Sequence, residues 1–276
     1  MNTRTKIAIA SLIYRCLRLV RVRQHRIIRR NGIDFDVDLA EGIDLSLFLF
    51  GSFQKWVIDD SILPKNRSFT ALDIGANVGA VCLPLAARDA EARVIAIEPT
   101  AHGIKRLRRN IDLNPHLAPR IQVVNCFMGS TPSADSKQVA YPSWRLDSRG
   151  ADSHAVHCGE AHQVTCPTLT IDSLASDLRL EKLDFIKIDT DGHELDILRG
   201  GRETLRRFRP SIVFEFCFYE NEKRGYSFED FAAFFRDLGY ELRLCDNKKL
   251  LTDEASARRA VPELGSRDFL AIPLPA

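Results

Sequence analysis

The chain has 276 residues, 45% hydrophobic and 28% charged, with a net charge of +2. That suits one large α/β domain with extensions or two small domains, and no apolar run reaches the length of a membrane span. Seven scattered cysteines without a C-x-x-C pair lead us to expect a reducing, cytoplasmic compartment.

Residues 1–30 contain nine Lys or Arg and no acid, which leaves 30 basic against 37 acidic residues, a net of −7, for the rest. Ile9, Leu12, Ile13, Cys16, Leu17 and Val20 recur at helical spacing, with Arg15, Arg18 and Arg21 off that stripe. We read 1–30 as a basic amphipathic helix and 31–276 as the main domain. The helix either rests on anionic lipid, at the inner face of a membrane, or packs on the domain or a partner. It does not read as a signal peptide, because its apolar core is short and arginines follow it.

Gly32 to Asp38 alternates as a short strand, and Leu45 to Ile58 has helical character. Ala71–Ile74 reads as a buried strand running into the turn Asp73-Ile74-Gly75-Ala76-Asn77-Val78-Gly79, with a helix over Val81–Ala90. Arg93–Glu98 is the next strand, followed by Pro99 and a helix ending near Asn114-Pro115. A third strand is expected over Ile121–Phe127, closing on Met128. Residues 130–163 are the least regular, with a strand near Gln138–Tyr141. Leu183–Asp189 is the fourth strand, and its helix stops at Gly200-Gly201. Pro210 precedes a fifth strand, Ser211–Phe216. A helix over about Phe228–Leu238 and late strands at Gly239–Leu244 and Phe269–Ile272 complete the chain.

Strands alternating with helices predict a parallel sheet, and the two late strands an antiparallel edge pair. The expected fold is α/β, the Rossmann-like, seven-stranded, mostly parallel sheet of class I methyltransferases. In such sheets ligands bind beyond the carboxyl ends of the strands. Asp73, Glu98, Phe127, Met128, Asp189 and Glu215 all end strands and should line one edge.

The turn discriminates between nucleotide cofactors. A dinucleotide site offers G-x-G-x-x-G, but Asp73 stands at the first glycine position, where a carboxylate repels pyrophosphate. It suits the cationic methionine part of S-adenosylmethionine, and Glu98 stands where a ribose-binding acid belongs. We therefore assign Asp73, Gly75, Ala76, Asn77, Gly79, Glu98, Pro99, Phe127, Met128 and Asp189 to the cofactor.

The chain also resembles the FkbM family of methyltransferases. The resemblance is carried by the Asp73–Gly79 turn, Glu98-Pro99, Leu169–Leu174, Pro210–Glu215 and above all Asp184-Phe185-Ile186-Lys187-Ile188-Asp189-Thr190-Asp191-Gly192-His193-Glu194-Leu195. It implies an S-adenosylmethionine-dependent enzyme, and family members are mostly O-methyltransferases acting on hydroxyls of polyketides, sugars or glycolipids. The common family form of the last segment is K-I-D-V-E-G-A-E. Here Thr190, Asp191 and His193 replace Val, Glu and Ala, so no family role passes to His193.

Methyl transfer to a hydroxyl needs in-line positioning and help in removing a proton. Asp189, Asp191, His193 and Glu194 are the candidate catalytic residues, and Glu215 is the candidate substrate contact. His193 is a general-base candidate because an ordinary imidazole titrates near neutral pH. Asp191 before Gly192 also fits ordinary turn chemistry. The acids Asp189, Asp191, Glu194 and Glu215 could instead hold a divalent cation such as Mg²⁺ or Ca²⁺, which we treat as secondary because no ligand geometry is fixed. His154, His157, Cys158, His162 and Cys166 have zinc-capable side chains at non-standard spacing. We expect a small-molecule or lipid-linked saccharide acceptor. A nucleic-acid substrate would suit the basic N-terminus, but the body is acidic and no Asn-Pro-Pro-Tyr-like motif follows the fourth strand. A non-catalytic binding protein is opposed by the intact strand-end acids.

Overall fold

Apolar runs become buried strands in the computed structural model of the protein, which describes residues 3–63, 67–140, 145–147 and 162–275. Helix α1 (Thr3–Leu19) leads into a hairpin of β1 (His25–Arg30) and β2 (Ile33–Asp38), and α2 (Gly42–Phe50) follows. Next come β3 (Thr70–Ile74), α3 (Cys82–Ala86), β4 (Arg93–Ile97), α4 (Ala101–Asp112) and β5 (Ile121–Val124). After them lie β6 (Phe127–Met128), β7 (Ser133–Ala140), β8 (His162–Leu169), α5 (Ile171–Asp177) and β9 (Phe185–Ile188). The remainder is α6 (Glu194–Arg199), α7 (Arg202–Phe208), β10 (Ser211–Phe216), α8 (Phe218–Lys223), α9 (Phe228–Asp237), β11 (Tyr240–Leu244), α10 (Glu254–Ala260) and β12 (Arg267–Pro273).

The central sheet has seven strands in the order β11-β12-β10-β9-β3-β4-β5. Neighbours from β10 to β5 run parallel, whereas β12 is antiparallel to both β10 and β11. This is the class I methyltransferase architecture expected from the sequence, antiparallel edge pair included. The chain order reverses between β3 and β9, so the crevice for a ligand lies above that pair. Side chains alternate between the two faces of the sheet. Ala71, Val94, Ala96 and Phe185 belong to one core, while Leu72, Ile95, Ile186 and Ile188 belong to the other. On the second face Phe214, Phe216, Phe231, Phe235 and Phe269 stack or meet edge-on, joining β10 and β12 to α9.

Several expected boundaries shift for local reasons. The helical reading of 1–30 holds to Leu19, but His25–Arg30 is a strand whose pairing with β2 crosses position 30. The helix expected to reach Ile58 ends at Phe50, because Gly51 (φ +71°) adopts the left-handed cap and donates its N–H to the Leu47 carbonyl at 3.0 Å. The apolar residues beyond it form a strap instead. The helix expected over Val81–Ala90 is only α3. The third strand stops at Val124, and Phe127-Met128 joins β7 and β8 in a separate three-stranded sheet. The zinc-capable residues His154, His157 and Cys158 lie outside the described residues.

The hairpin is fastened to α4 and the turn just after it by two buried asparagines, Asn110 and Asn114. Asn110 accepts the Asp36 N–H at 2.8 Å, and Asn114 accepts the Asp34 N–H at 2.9 Å and donates to the Asp34 carbonyl at 2.7 Å. They satisfy an edge strand that would otherwise be open to pairing. Beside them, Arg106 pairs with Asp44, whose side chain is 1% exposed. Burial pushes the Asp44 pKa up to about 6, against the opposing pull of Arg106. Arg109 pairs with the exposed Asp36 at 3.2 Å. Removing the partner of a buried charge is costly, whereas an exposed pair contributes little. Arg106→Ala should therefore lower unfolding stability by roughly 3 kcal/mol and Arg109→Ala by less than about 1 kcal/mol. Urea denaturation of the two variants checks this; equal losses would contradict it.

Candidate active site

The turn after β3 sets the geometry. Gly75 (φ +84°) lies so close to β9 that an added Cβ would sit 2.0 Å from the Asp189 carbonyl oxygen. Only glycine allows that approach. Asn77 also adopts a left-handed conformation (φ +46°), which asparagine tolerates better than most residues. The N–H groups of Gly75 and Ala76 both donate to the Ile97 carbonyl, at 3.0 and 2.9 Å, tying the turn to β4.

Glu98 completes that tie. Its carboxylate accepts from the Asn77 N–H at 3.0 Å and from the Thr100 N–H and hydroxyl at 2.9 and 2.5 Å. Thr100 in turn caps α4 by accepting the Gly103 N–H. Gly103 must lack a side chain, since its Cβ would meet the Glu98 carboxyl at 2.7 Å. Burial raises the Glu98 pKa, and these hydrogen bonds work against that rise.

Beneath the turn, Asp73 and Lys187 are register partners on β3 and β9. Lys187 Nζ lies 3.6 Å from Asp73 Oδ1 and 3.3 Å from Asp189 Oδ2, with Lys187 4% and Asp73 0% exposed. Burial works against the Lys187 ammonium, but the Asp189 and Asp73 carboxylates overcome it and raise its pKa. Burial likewise raises the Asp73 pKa, with Lys187 opposing. The cation expected beside Asp73 is thus supplied first by the protein itself.

Above these residues opens a cavity of about 570 Å³. Its walls include Gly75, Ala76 and Asn77 from the turn, Asp189, Asp191 and Glu194 after β9, and Glu215 and Asp268 from β10 and β12. A strap through Phe53, Gln54 and Trp56 covers one side. Gln54 Nε2 donates to Asp189 Oδ2 at 3.1 Å and to Asp268 Oδ1 at 3.4 Å, and Trp56 Nε1 donates to Asp268 Oδ2 at 2.5 Å. Burial, with Asp189 adding to it, pushes the Asp268 pKa up to about 6. Glu215 is raised well above the carboxylate range by burial and then by the nearby Asp189 and Asp191 charges.

The structure divides the expected site residues. Asp189, Asp191, Glu194, Glu215, Gly75, Ala76 and Asn77 share the cavity. Asp73 and Gly79 lie behind the turn, with Gly79 packed against Leu107. Glu98, Pro99, Phe127 and Met128 stand apart from the cavity, towards β4 and β6. His193 is not brought in. It takes the N-cap position of α6 without a side-chain capping bond, and its Nε2 meets Arg224 at 2.6 Å. Burial, then the Arg224 charge, lowers its pKa to about 4, so it stays neutral and a poor base near pH 7. Glu194 works inward: Oε1 accepts from the Thr190 N–H (2.9 Å), the Thr190 hydroxyl (3.1 Å) and the Gly192 N–H (3.3 Å). It holds the loop in which Asp191 and Gly192 are both left-handed. Lys187, Gln54, Trp56 and Asp268 were not expected. Only Lys187 left a cue, as a lone charge inside the apolar run Phe185–Ile188. Among the described residues, no group of three or more His, Cys, Asp or Glu is placed to hold a metal ion.

Residues 73–242 match the Methyltransferase FkbM domain. The chain is 27% identical over 176 residues to the AMB antimetabolite synthetase AmbE of Pseudomonas aeruginosa, covering 51% of this chain and 8% of that protein. It is 24% identical over 187 residues to the methyltransferase sdnD of Sordaria araneosa, covering 59% of this chain and 71% of that one. Among solved structures, the methyltransferase FkbM of Methylobacillus flagellatus KT is 20% identical, with a TM-score of 0.48 over 78% of this chain and 46% of that chain.

Burial pushes the Glu194 pKa up to about 7, so the fold favours its protonated form. The stabilisation this gives is complete below the unfolded carboxylate pKa and is lost as pH rises through about 7. Glu194→Gln keeps the acceptor oxygen without the charge. Thermal unfolding from pH 4.5 to 8 should therefore fall less steeply for this variant, by roughly 2–3 kcal/mol in total. Parallel curves for variant and wild type would contradict the assignment.

Proposed function

The chain belongs to the FkbM methyltransferase family, and from that premise we propose that it transfers the methyl group of S-adenosylmethionine to a hydroxyl of a sugar, glycolipid or polyketide-like acceptor. The observation that supports this reading most is the sharing of one cavity by the turn Gly75-Ala76-Asn77 and the carboxylates Asp189 and Glu215. Its volume, about 570 Å³, falls within the range of small-molecule sites.

The residues present fit the cofactor. Gly75 and Asn77 bring backbone to the cavity wall, and the anionic lining suits a ligand with an ammonium and a sulfonium group. Glu98, apart from the cavity, serves the cofactor indirectly by holding the Asn77 N–H and the Thr100 cap, which fixes the turn that lines the cavity. Bound S-adenosylmethionine supplies an electrophilic methyl group on its sulfonium.

The protein's own residues do the rest. Lys187 and Gln54 both contact Asp189 through Oδ2, which fixes the carboxylate and leaves Oδ1 to orient the acceptor hydroxyl. Glu215 takes the hydroxyl proton at its carboxylate, because its raised pKa makes it a better base than an ordinary carboxylate. The strap through Gln54 and Trp56 covers that side of the cavity.

Calorimetric titration with S-adenosylmethionine, followed by transfer of a labelled methyl group to hydroxylated acceptors, tests the reading. Wild type should bind. Glu215→Gln should still bind but lose about 10²-fold or more in kcat. Asp189→Ala should lose both affinity and turnover. Wild-type activity should rise as Glu215 ionises with increasing pH. Absence of cofactor binding, or full turnover by Glu215→Gln, would overturn the proposal.

A further inference from the structure

The apolar residues of α1 are divided between two faces, and only one is used by the fold. Tyr14 is buried, and Ala10, Ile13 and Leu17 pack against the core beside it. The helix turns 100° per residue, so Leu12, Cys16 and Leu19 fall on the outer side, with Ile9 at its edge. Ile9 is 45%, Leu12 62% and Leu19 82% exposed, and Val20 just beyond the helix is 72% exposed. Arg15 and Arg18 lie along one side of this stripe and are exposed, as are Arg21 and Arg23 in the turn that follows. No acid occurs among the first 30 residues.

We propose that this outer face of α1 docks the protein on an anionic lipid surface, with Leu12 and Leu19 entering the interface and Arg15, Arg18, Arg21 and Arg23 meeting the headgroups. Charge complementarity selects this occupant. A second copy would set the same arginines against each other, and an apolar protein groove would leave them without partners. An interfacial helix needs an apolar stripe bordered by cations, and each cation near an anionic surface adds to binding. The helix is already folded on the domain, so docking carries no cost of ordering it. Lys6, one turn before the stripe, lines the cavity, so a surface held by α1 lies beside the active-site opening. The proposal does not depend on the identity of the methyl acceptor.

Co-sedimentation of the full chain with vesicles tests it. The protein should sediment with phosphatidylcholine vesicles containing 30 mol% (roughly a biological anionic fraction) phosphatidylglycerol, and not with phosphatidylcholine alone. Leu12→Asp with Leu19→Asp, and separately Arg15→Glu with Arg18→Glu, should each weaken binding by about tenfold or more. Raising the salt to about 0.5 M should weaken the wild type likewise. Circular dichroism and thermal unfolding of the variants should match wild type, since all four side chains are exposed. The proposal is overturned if wild type does not sediment with anionic vesicles, or if both double variants sediment undiminished. It is also overturned if ultracentrifugation shows a dimer that the leucine pair abolishes while vesicle binding is absent.

Discussion

Lys187 stands between two carboxylates at the point where the order of the sheet reverses. Asp73 on β3 and Asp189 at the end of β9 approach its ammonium to 3.6 and 3.3 Å, and Lys187 and Asp73 are both buried there. Burying an unpaired charge costs several kcal/mol, so the buried Lys187 ammonium requires its carboxylate partners. The set fastens β3 to β9 through side chains as well as through the ladder. It thereby fixes the departure of two loops that face each other, the turn at Gly75 and the segment from Asp189 to Glu194. The 2.0 Å approach of a hypothetical Gly75 Cβ to the Asp189 carbonyl measures how tightly those loops are held.

From that constraint the rest of the site is built outward. Glu98 locks the turn to β4 and to the cap of α4, while Glu194 locks the opposite loop from within. Both acids are spent largely on backbone N–H groups, a use that leaves Asp189, Glu215 and Asp268 facing the cavity. Burial raises Glu215, with the Asp189 and Asp191 charges adding to it, and burial also raises Asp268. Gln54 then bridges Asp189 and Asp268, and Trp56 donates to Asp268, from a strap that belongs to the N-terminal part of the chain. The lead-in to the sheet is therefore part of the candidate active site, and its attachment through Asn110, Asn114 and Arg106 serves that cavity as well as the fold.

The central sheet was legible because parallel strands buried on both faces read as apolar runs that end in an acid. Ser211–Phe216 is such a run, bounded by Pro210, and its limits are those seen in the structure. The rest hid for identifiable reasons. In β1 only Ile28 is buried, so its sequence looked like a continuation of the basic helix. α7 and α8, at seven and six residues, are too short for helical periodicity to show. Apolar Phe53 and Trp56 extended the expected helix because residues that line a cavity look like residues that fill a core. The single stripe read on α1 combined residues that fold inward with residues that remain outside. For the site, the residue types at strand ends were visible, but the partners were not. Nothing in the order of residues 54, 187 and 268 places them around one carboxylate, and His193 beside the acids gave no sign that Arg224 would claim it.

The central claim is that the crevice between β3 and β9 holds the cofactor with Asp189 and Glu215 at its reacting end. A crystal structure with S-adenosylhomocysteine measures this directly. The ligand should lie against Gly75, Ala76 and Asn77, with its sulfur facing the Asp189 and Glu215 carboxylates. Ligand bound elsewhere on the chain, or bound in the crevice with its sulfur turned away from both acids, would contradict it.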